Sequence, residues 1–258
     1  MDNLANYFVA MNHAMGSDIY HYDESGTMVP DLDEGIIEKL FLNYYEPFTK
    51  GYYGAKGRYR SDDVKQSYLA GCIGSSSSVL YFPEEVADSQ GNMVPVTTGV
   101  YQYPVMEGTT PTAIQQGAGV AVFNRSDEEN RAALDFIRWL TIDKGFELAA
   151  SMSYMPVDHN GMTEEQKQQI DDARVLKGIE TGLKQSNSYQ MVYGFDFENS
   201  YDVRTGVDAC FGEALSQGRM EFEEYLARGM SMDEAAASMD YGSKAEAFYE
   251  QVKAIFEE

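Results

Sequence analysis

AIQQGAGVAVFNRSDEENRAALDFIRWLTIDKGFELAASMSYMPV, Ala113–Val157, places a glycine-bearing polar turn, an apolar run, a capped amphipathic helix and a second polar turn in succession. Gly117 and Gly119 flank Ala118 ahead of Val120–Phe123, a run that reads as a buried strand entered through a backbone needing close approach. Ser126 and Glu129 have capping-box spacing, the serine accepting from the N3 amide while the glutamate reaches back to the N-cap amide. The helix that follows carries Ala133, Phe136, Ile137 and Leu140 on one face and is expected to lie on a sheet or another helix, with Trp139 in the core. This order of elements predicts an αβ layer.

Outward from this stretch the chain punctuates itself. Leu4, Phe8, Met11 and Met15 repeat at helical spacing up to Gly16. Asp23–Gly26 reads as a turn, and the acidic start Asp31–Glu34 suits the positive end of a helix whose apolar face is Ile36, Ile37, Leu40, Phe41 and Tyr44. Gly51–Arg60 is a tyrosine-rich loop, and Ser61 caps a short helix reaching Ala70. Cys72–Gly74 reads as a strand before the serine run Ser75–Ser78, and Val96–Val105, β-branched and aromatic, as a strand crossing between lobes. From Thr163 onward the pattern is helical, with capping boxes at Thr163/Gln166 and Ser231/Glu234. The last helix repeats Tyr241, Ala245, Phe248, Val252 and Ile255.

Three segments in this order resemble the carbohydrate-type extracellular solute-binding proteins of ABC importers, the maltose-binding-protein-like family. They are LAGCIGSSSSVLYF (Leu69–Phe82), the stretch QQGAGVAVF through SYMPV, and NSYDVRTGVDAC (Asn199–Cys210). The resemblance implies an α/β, periplasmic-binding-protein-like type II bilobal fold. Residues 1–103 would form the first part of the second (C-terminal) lobe, 104–153 an excursion belonging to the first lobe, and 154–258 a hinge and helical return to the second lobe. Asp2–Tyr22 resembles a phrase midway along the family's chain. On that reading the export signal and most of the first lobe lie outside this sequence, the 104–153 excursion is poorly covered, and the chain alone binds sugar weakly or not at all.

Composition narrows the function classes. The chain has 258 residues, 43% hydrophobic, enough for an ordinary core, and a net charge of −23 from 42 acidic against 19 basic residues. That field repels nucleic-acid phosphates and anionic membrane surfaces. Two cysteines, Cys72 and Cys210, are too few for a disulfide scaffold and read as small buried thiols. His13, His21 and His159 have no metal-ligand spacing, and no G-x-S-x-G, P-loop or G-x-G-x-x-G occurs. No catalytic residue, metal or cofactor is expected, and the chain reads as a non-enzyme.

Sugar recognition combines flat apolar ring faces with fixed hydrogen-bonding groups. Nineteen tyrosines offer the former. The resemblance places Asn3 and Tyr7 on the helix that opens the second lobe's site, and Ser75, Ser76 and Ser77 in the ligand-facing loop. It places Gln115, Gln116 and Gly117 at the approaching turn, Tyr154 in the inter-lobe segment, and Tyr201 and Arg204 at a helix start. Tyr154 is equally a hinge-packing ring and Ser75–Ser77 equally a plain turn. The implied function is delivery of a saccharide to membrane permease subunits by an extracellular or periplasmic, lipid-anchored binding protein. Alternatives are a glycerol-3-phosphate-type ligand, for which Arg204 is the lone cation among the candidates, a secreted acidic glycoside hydrolase fragment, and an adhesive surface domain.

Overall fold

The computed structural model describes residues 3–156 and 161–257; Asp2, Val157 and His159, singled out above, lie outside the described residues. In chain order the elements are α1 (Leu4–Ala14), β1 (Ile19–Tyr22), β2 (Met28–Asp31), α2 (Glu34–Thr49), α3 (Arg60–Lys65), a 3₁₀ turn (Ser76–Tyr81), β3 (Glu85–Ala87), β4 (Met93–Pro95) and β5 (Thr112–Ile114). Then come α4 (Asp127–Arg138), a π turn (Trp139–Asp143), α5 (Gly145–Met152), α6 (Glu164–Lys167), α7 (Ala173–Ser188), β6 (Gln190–Val192), α8 (Ser200–Ala227), α9 (Met232–Ser238) and α10 (Tyr241–Glu257). The architecture is α/β, helix-rich, with small sheets. Contacts divide the chain into a first unit, Met1–Lys56, Val105–Gln115 and Gln190–Glu258, and a second, Gly57–Pro104 and Gln116–Tyr189.

The first unit is built around α1, whose Ala5, Tyr7, Phe8, Val9, Ala10, Met11 and Ala14 are all buried. Its N-terminal amides are met twice: Asn3 accepts from Asn6 N at 2.8 Å, and Asp208 on α8 accepts from Leu4 N at 2.6 Å and Ala5 N at 3.3 Å. A carboxylate at this end also complements the helix dipole. α2 and α8 pack on α1, α10 packs on α2 and α8, and α2, α8 and α10 meet in an aromatic cluster. Phe41 stacks on Phe248 at 4.3 Å and on Tyr45 at 4.8 Å, while Phe211 leans on Phe248 at 4.4 Å. Ala245, Phe248, Val252 and Phe256 form the buried face of α10, with Tyr241 and Ile255 half-buried beside it, close to the repeat in its sequence.

The second unit has a smaller core, Val79, Val175 and Ile179, flanked by Val100, Ala150, Met162, Ile170 and Leu183. Arg174 at the start of α7 ties it together, donating to Asp172 at 2.7 Å and to the Phe82 carbonyl at 2.9 Å and pairing with Glu84 at 3.0 Å. Hydrogen bonding from Arg174 holds the Asp172 carboxyl down at about 2. A carboxyl depressed below its unfolded value of 3.8 contributes stability that is complete above that value and is lost as pH falls through the folded one. We therefore expect acid titration between pH 4 and 2 to weaken the second unit in wild type and to do so less in Asp172→Asn, checked by unfolding curves across that range.

Val120–Phe123 is not a strand: among the described residues no strand pairs with it, and Val120, Val122 and Phe123 are 60%, 41% and 83% exposed. Cys72–Gly74 and Val96–Val105 are likewise irregular, and the helix expected to reach Ala70 ends at Lys65. Local β propensity does not make a strand without a partner to complete its ladder. The Ser126/Glu129 capping box forms, but no residue of α4 is buried, and Trp139 is 46% exposed rather than core. Leu134, Phe136, Trp139 and Ile142 thus present apolar surface. Self-association that grows with concentration is the expected result in sedimentation, and Phe136→Ser with Ile142→Ser should reduce it.

Candidate functional site

β5 and β6 pair in parallel, Thr112 opposite Gln190, Ala113 opposite Met191 and Ile114 opposite Val192. The pairing extends one step further, Gln115 N donating to Val192 O at 2.7 Å. The two strands therefore end together, with Gln115 and Tyr193 next along the chain, at the kind of strand terminus beyond which open α/β sheets bind ligands. From Tyr193 the chain runs through GFDFEN to α8, which begins after Asn199 in the left-handed region at φ +63.

Arg204 lies over this connection. A Cβ on Gly194 would come within 3.4 Å of its Nη1, so the glycine leaves room for the guanidinium against the backbone. Tyr201, one turn earlier on the same helical face, is 76% exposed, and Tyr193 is 67% exposed. Arg204 is half-buried and has no carboxylate partner among the described residues. Such a guanidinium keeps donors for an incoming ligand.

The connection is anchored from its other side. Tyr20 and Tyr22, two residues apart on β1 and so on one face, both direct their hydroxyls at Asp196: Tyr20 donates to Oδ1 at 2.5 Å, Tyr22 to Oδ1 and to the backbone carbonyl at 3.3 Å. The Tyr20 ring meets Phe197 edge-on at 4.9 Å, and Phe195 meets Phe256 of α10 at 5.4 Å. Burial and the adjacent carboxylate push the Tyr20 phenol up to about 12, so it stays a proton donor through the physiological range. Ile19, immediately before Tyr20, is fully buried at φ +73, a conformation costing a β-branched residue about 1–3 kcal/mol. Packing of Ile19 in the core offsets that strain and fixes the direction in which Tyr20 leaves it.

Of the residues expected from sequence, Gln115, Tyr201 and Arg204 belong to this part of the first unit. Asn3 is there too but serves as the N-cap of α1. Tyr7 is 6% exposed, donates to Leu40 O at 2.8 Å and accepts from Asn43 at 3.1 Å, so it is a core ring with no face left for a ligand. The remaining candidates lie in the second unit. Ser75 and Ser77 hydrogen-bond to each other at 3.1 Å, Ser76 opens the 3₁₀ turn, and Gln116 and Gly117 are exposed on irregular backbone. Tyr154 is 37% exposed; it follows Ser153, which is fully buried with φ +53, and its amide closes α5 on Ala149 O at 2.9 Å.

Sequence reasoning did not single out Tyr20, Tyr22, Tyr193 or Asp196. The one local signal is the alternation Tyr20–His21–Tyr22 beside a turn, a half-exposed hairpin strand with both rings on one side. Cys210 is buried as expected, its thiol pushed up to about 11 by burial, and Cys72 is half-buried. Among the described residues no three His, Cys, Asp or Glu side chains converge as metal ligands, and no helix is long and apolar enough to cross a membrane. Comparison with known protein families, with curated proteins and with solved structures finds no match to this chain.

Proposed function

We propose that the chain binds a saccharide as the substrate-binding component of an ABC importer. The reading includes a type II bilobal fold with the lobes divided at residues 103 and 153, and an extracellular or periplasmic, lipid-anchored location. The observation that carries it is the half-buried Arg204, with no carboxylate partner among the described residues, lying against Gly194 on the connection that follows the ends of β5 and β6 and that also carries the exposed Tyr193, with the exposed Tyr201 one turn before Arg204 on α8. Tyrosine faces take the C–H patches of a pyranose, and the planar guanidinium donates in a fixed fork to vicinal hydroxyls. No bond of the ligand is made or broken in this role.

Tyr201→Ala and Tyr193→Ala are expected to lower saccharide affinity about ten- to a hundredfold, about 1–3 kcal/mol, by removing stacking area. Melting temperature should hardly move, because rings 76% and 67% exposed contribute little to the core. Chemical-shift titration with neutral oligosaccharides into the millimolar range, beside melting curves of the same variants, checks both halves. Unchanged affinity would remove these rings from the site. Release of shorter sugars during incubation would favour the hydrolase alternative, and no response to any sugar the adhesive one.

A further inference from the structure

We infer that Asp196 is a ligand-contacting acceptor of this site, held in place by Tyr20 and Tyr22, and that it selects neutral polyhydroxyl ligands over anionic ones. The inference rests on the saccharide reading and adds to it the residue that sets ligand charge. Both tyrosine hydroxyls bond to Oδ1, while no protein donor among the described residues meets Oδ2. An exposed carboxylate fixed by two phenols has lost the rotational freedom that an ordinary surface aspartate keeps, so a ligand hydroxyl meets an acceptor already ordered. Asp196 stands two residues from Gly194, against which Arg204 lies, yet it forms no ion pair with Arg204. The connection from β6 to α8 therefore presents one charged donor and one charged acceptor, each with bonding capacity left. Such a pair suits adjacent hydroxyls, which donate to one group and accept from the other.

An anionic ligand would gain from Arg204 and lose to Asp196, and Glu198 and Asp202, both exposed on the same stretch, add to the loss. A neutral saccharide incurs no such repulsion. Tyr20 and Tyr22 act as positioning residues, working through the carboxylate they hold.

The test is a chemical-shift titration of the 258-residue chain with a neutral oligosaccharide series and with uronic-acid oligosaccharides of equal length, on wild type, Asp196→Asn, Tyr22→Phe, the Tyr20→Phe, Tyr22→Phe pair and that pair combined with Asp196→Asn. Asp196→Asn should weaken the neutral series about ten- to a hundredfold, the range of a hydrogen bond to a charged group, and raise the uronate affinity relative to it. The double phenylalanine variant should lose part of the neutral affinity, with no further loss when combined with Asp196→Asn. Tyr22→Phe removes only a hydroxyl from a ring 49% exposed, keeping the test available should the other variants fold poorly. Wild-type neutral affinity in Asp196→Asn, or full additivity of the tyrosine and aspartate changes, overturns the role of Asp196 while leaving the saccharide reading standing. Failure of the wild type to bind any member of either series overturns both.

Discussion

Phe248→Ala is expected to cost the first unit about 3–5 kcal/mol, the range for deleting a buried aromatic ring. The ring is 2% exposed, nearly parallel to Phe41 at 4.3 Å and tilted against Phe211 at 4.4 Å, so its loss leaves a void among three helices that are fixed elsewhere. For a protein of this size the melting transition should fall by roughly 10 °C, read by calorimetry or far-ultraviolet circular dichroism. Phe136→Ala supplies the contrast. That ring is 55% exposed on a helix with no buried residue, and its removal should stay within about 0.5 kcal/mol of wild type. Equal effects of the two changes would mean that the core has been located wrongly.

A second large effect comes from adding a single methyl group. Gly218→Ala in α8 is favoured by helix propensity by about 1 kcal/mol, yet the new Cβ would fall inside the van der Waals envelope of the Tyr45 hydroxyl and ring. Tyr45 is 1% exposed and stacked on Phe41, so the ring cannot swing away, and overpacking of about 1–3 kcal/mol should outweigh the propensity gain. Gly212→Ala, on the same helix with nothing within 4 Å of its built Cβ, should instead stabilise by about 0.5–1 kcal/mol. Among the described residues the buried Tyr45 hydroxyl has no hydrogen-bond partner, so Tyr45→Phe alone should be neutral or mildly stabilising and should relieve part of the Gly218→Ala defect. Denaturant melts of the four variants decide it; equal shifts for the two alanine changes would rule the steric account out.

What could be read from sequence was what depends on near neighbours. The three capping boxes, at Ser126, Thr163 and Ser231, all form, because each is decided within four residues. The same holds in part for α1 and α10: Phe8 and Met11 of the first repeat and Ala245, Phe248 and Val252 of the second are buried, while α1 is buried nearly all round, which its repeat did not indicate. Val120–Phe123 and Trp139 went the other way. Their apolar character is plain, but how far apolar residues are covered depends on elements far along the chain, and here Val120, Val122, Phe123 and Trp139 stay 60%, 41%, 83% and 46% exposed. Site residues divide likewise. Tyr201 and Arg204 came from a resemblance carried by contiguous residues. The Tyr20–Asp196 bond joins positions 176 apart and has no local trace beyond a pair of alternating tyrosines. Tyr7 shows the converse error, since an aromatic at a suggestive place on a helix is a core ring once α2 packs over it.

The pairing of β5 with β6 has a further consequence for how the chain is assembled. Two three-residue strands in parallel register bracket the whole 116–189 excursion, which leaves the first unit at Gln115 and comes back at Gln190 beside it. Closing so long a segment costs little more than closing a short one, since the penalty grows only with the logarithm of its length. The first unit is therefore indifferent to how much chain lies between these strands. Amide exchange should show its helices opening together, on a schedule unrelated to that of α4 and α7. A sequence arranged this way tolerates insertion, shortening or exchange of the intervening segment without a redesign of the core that holds its two ends, much as a socket is unaffected by the length of cable plugged into it.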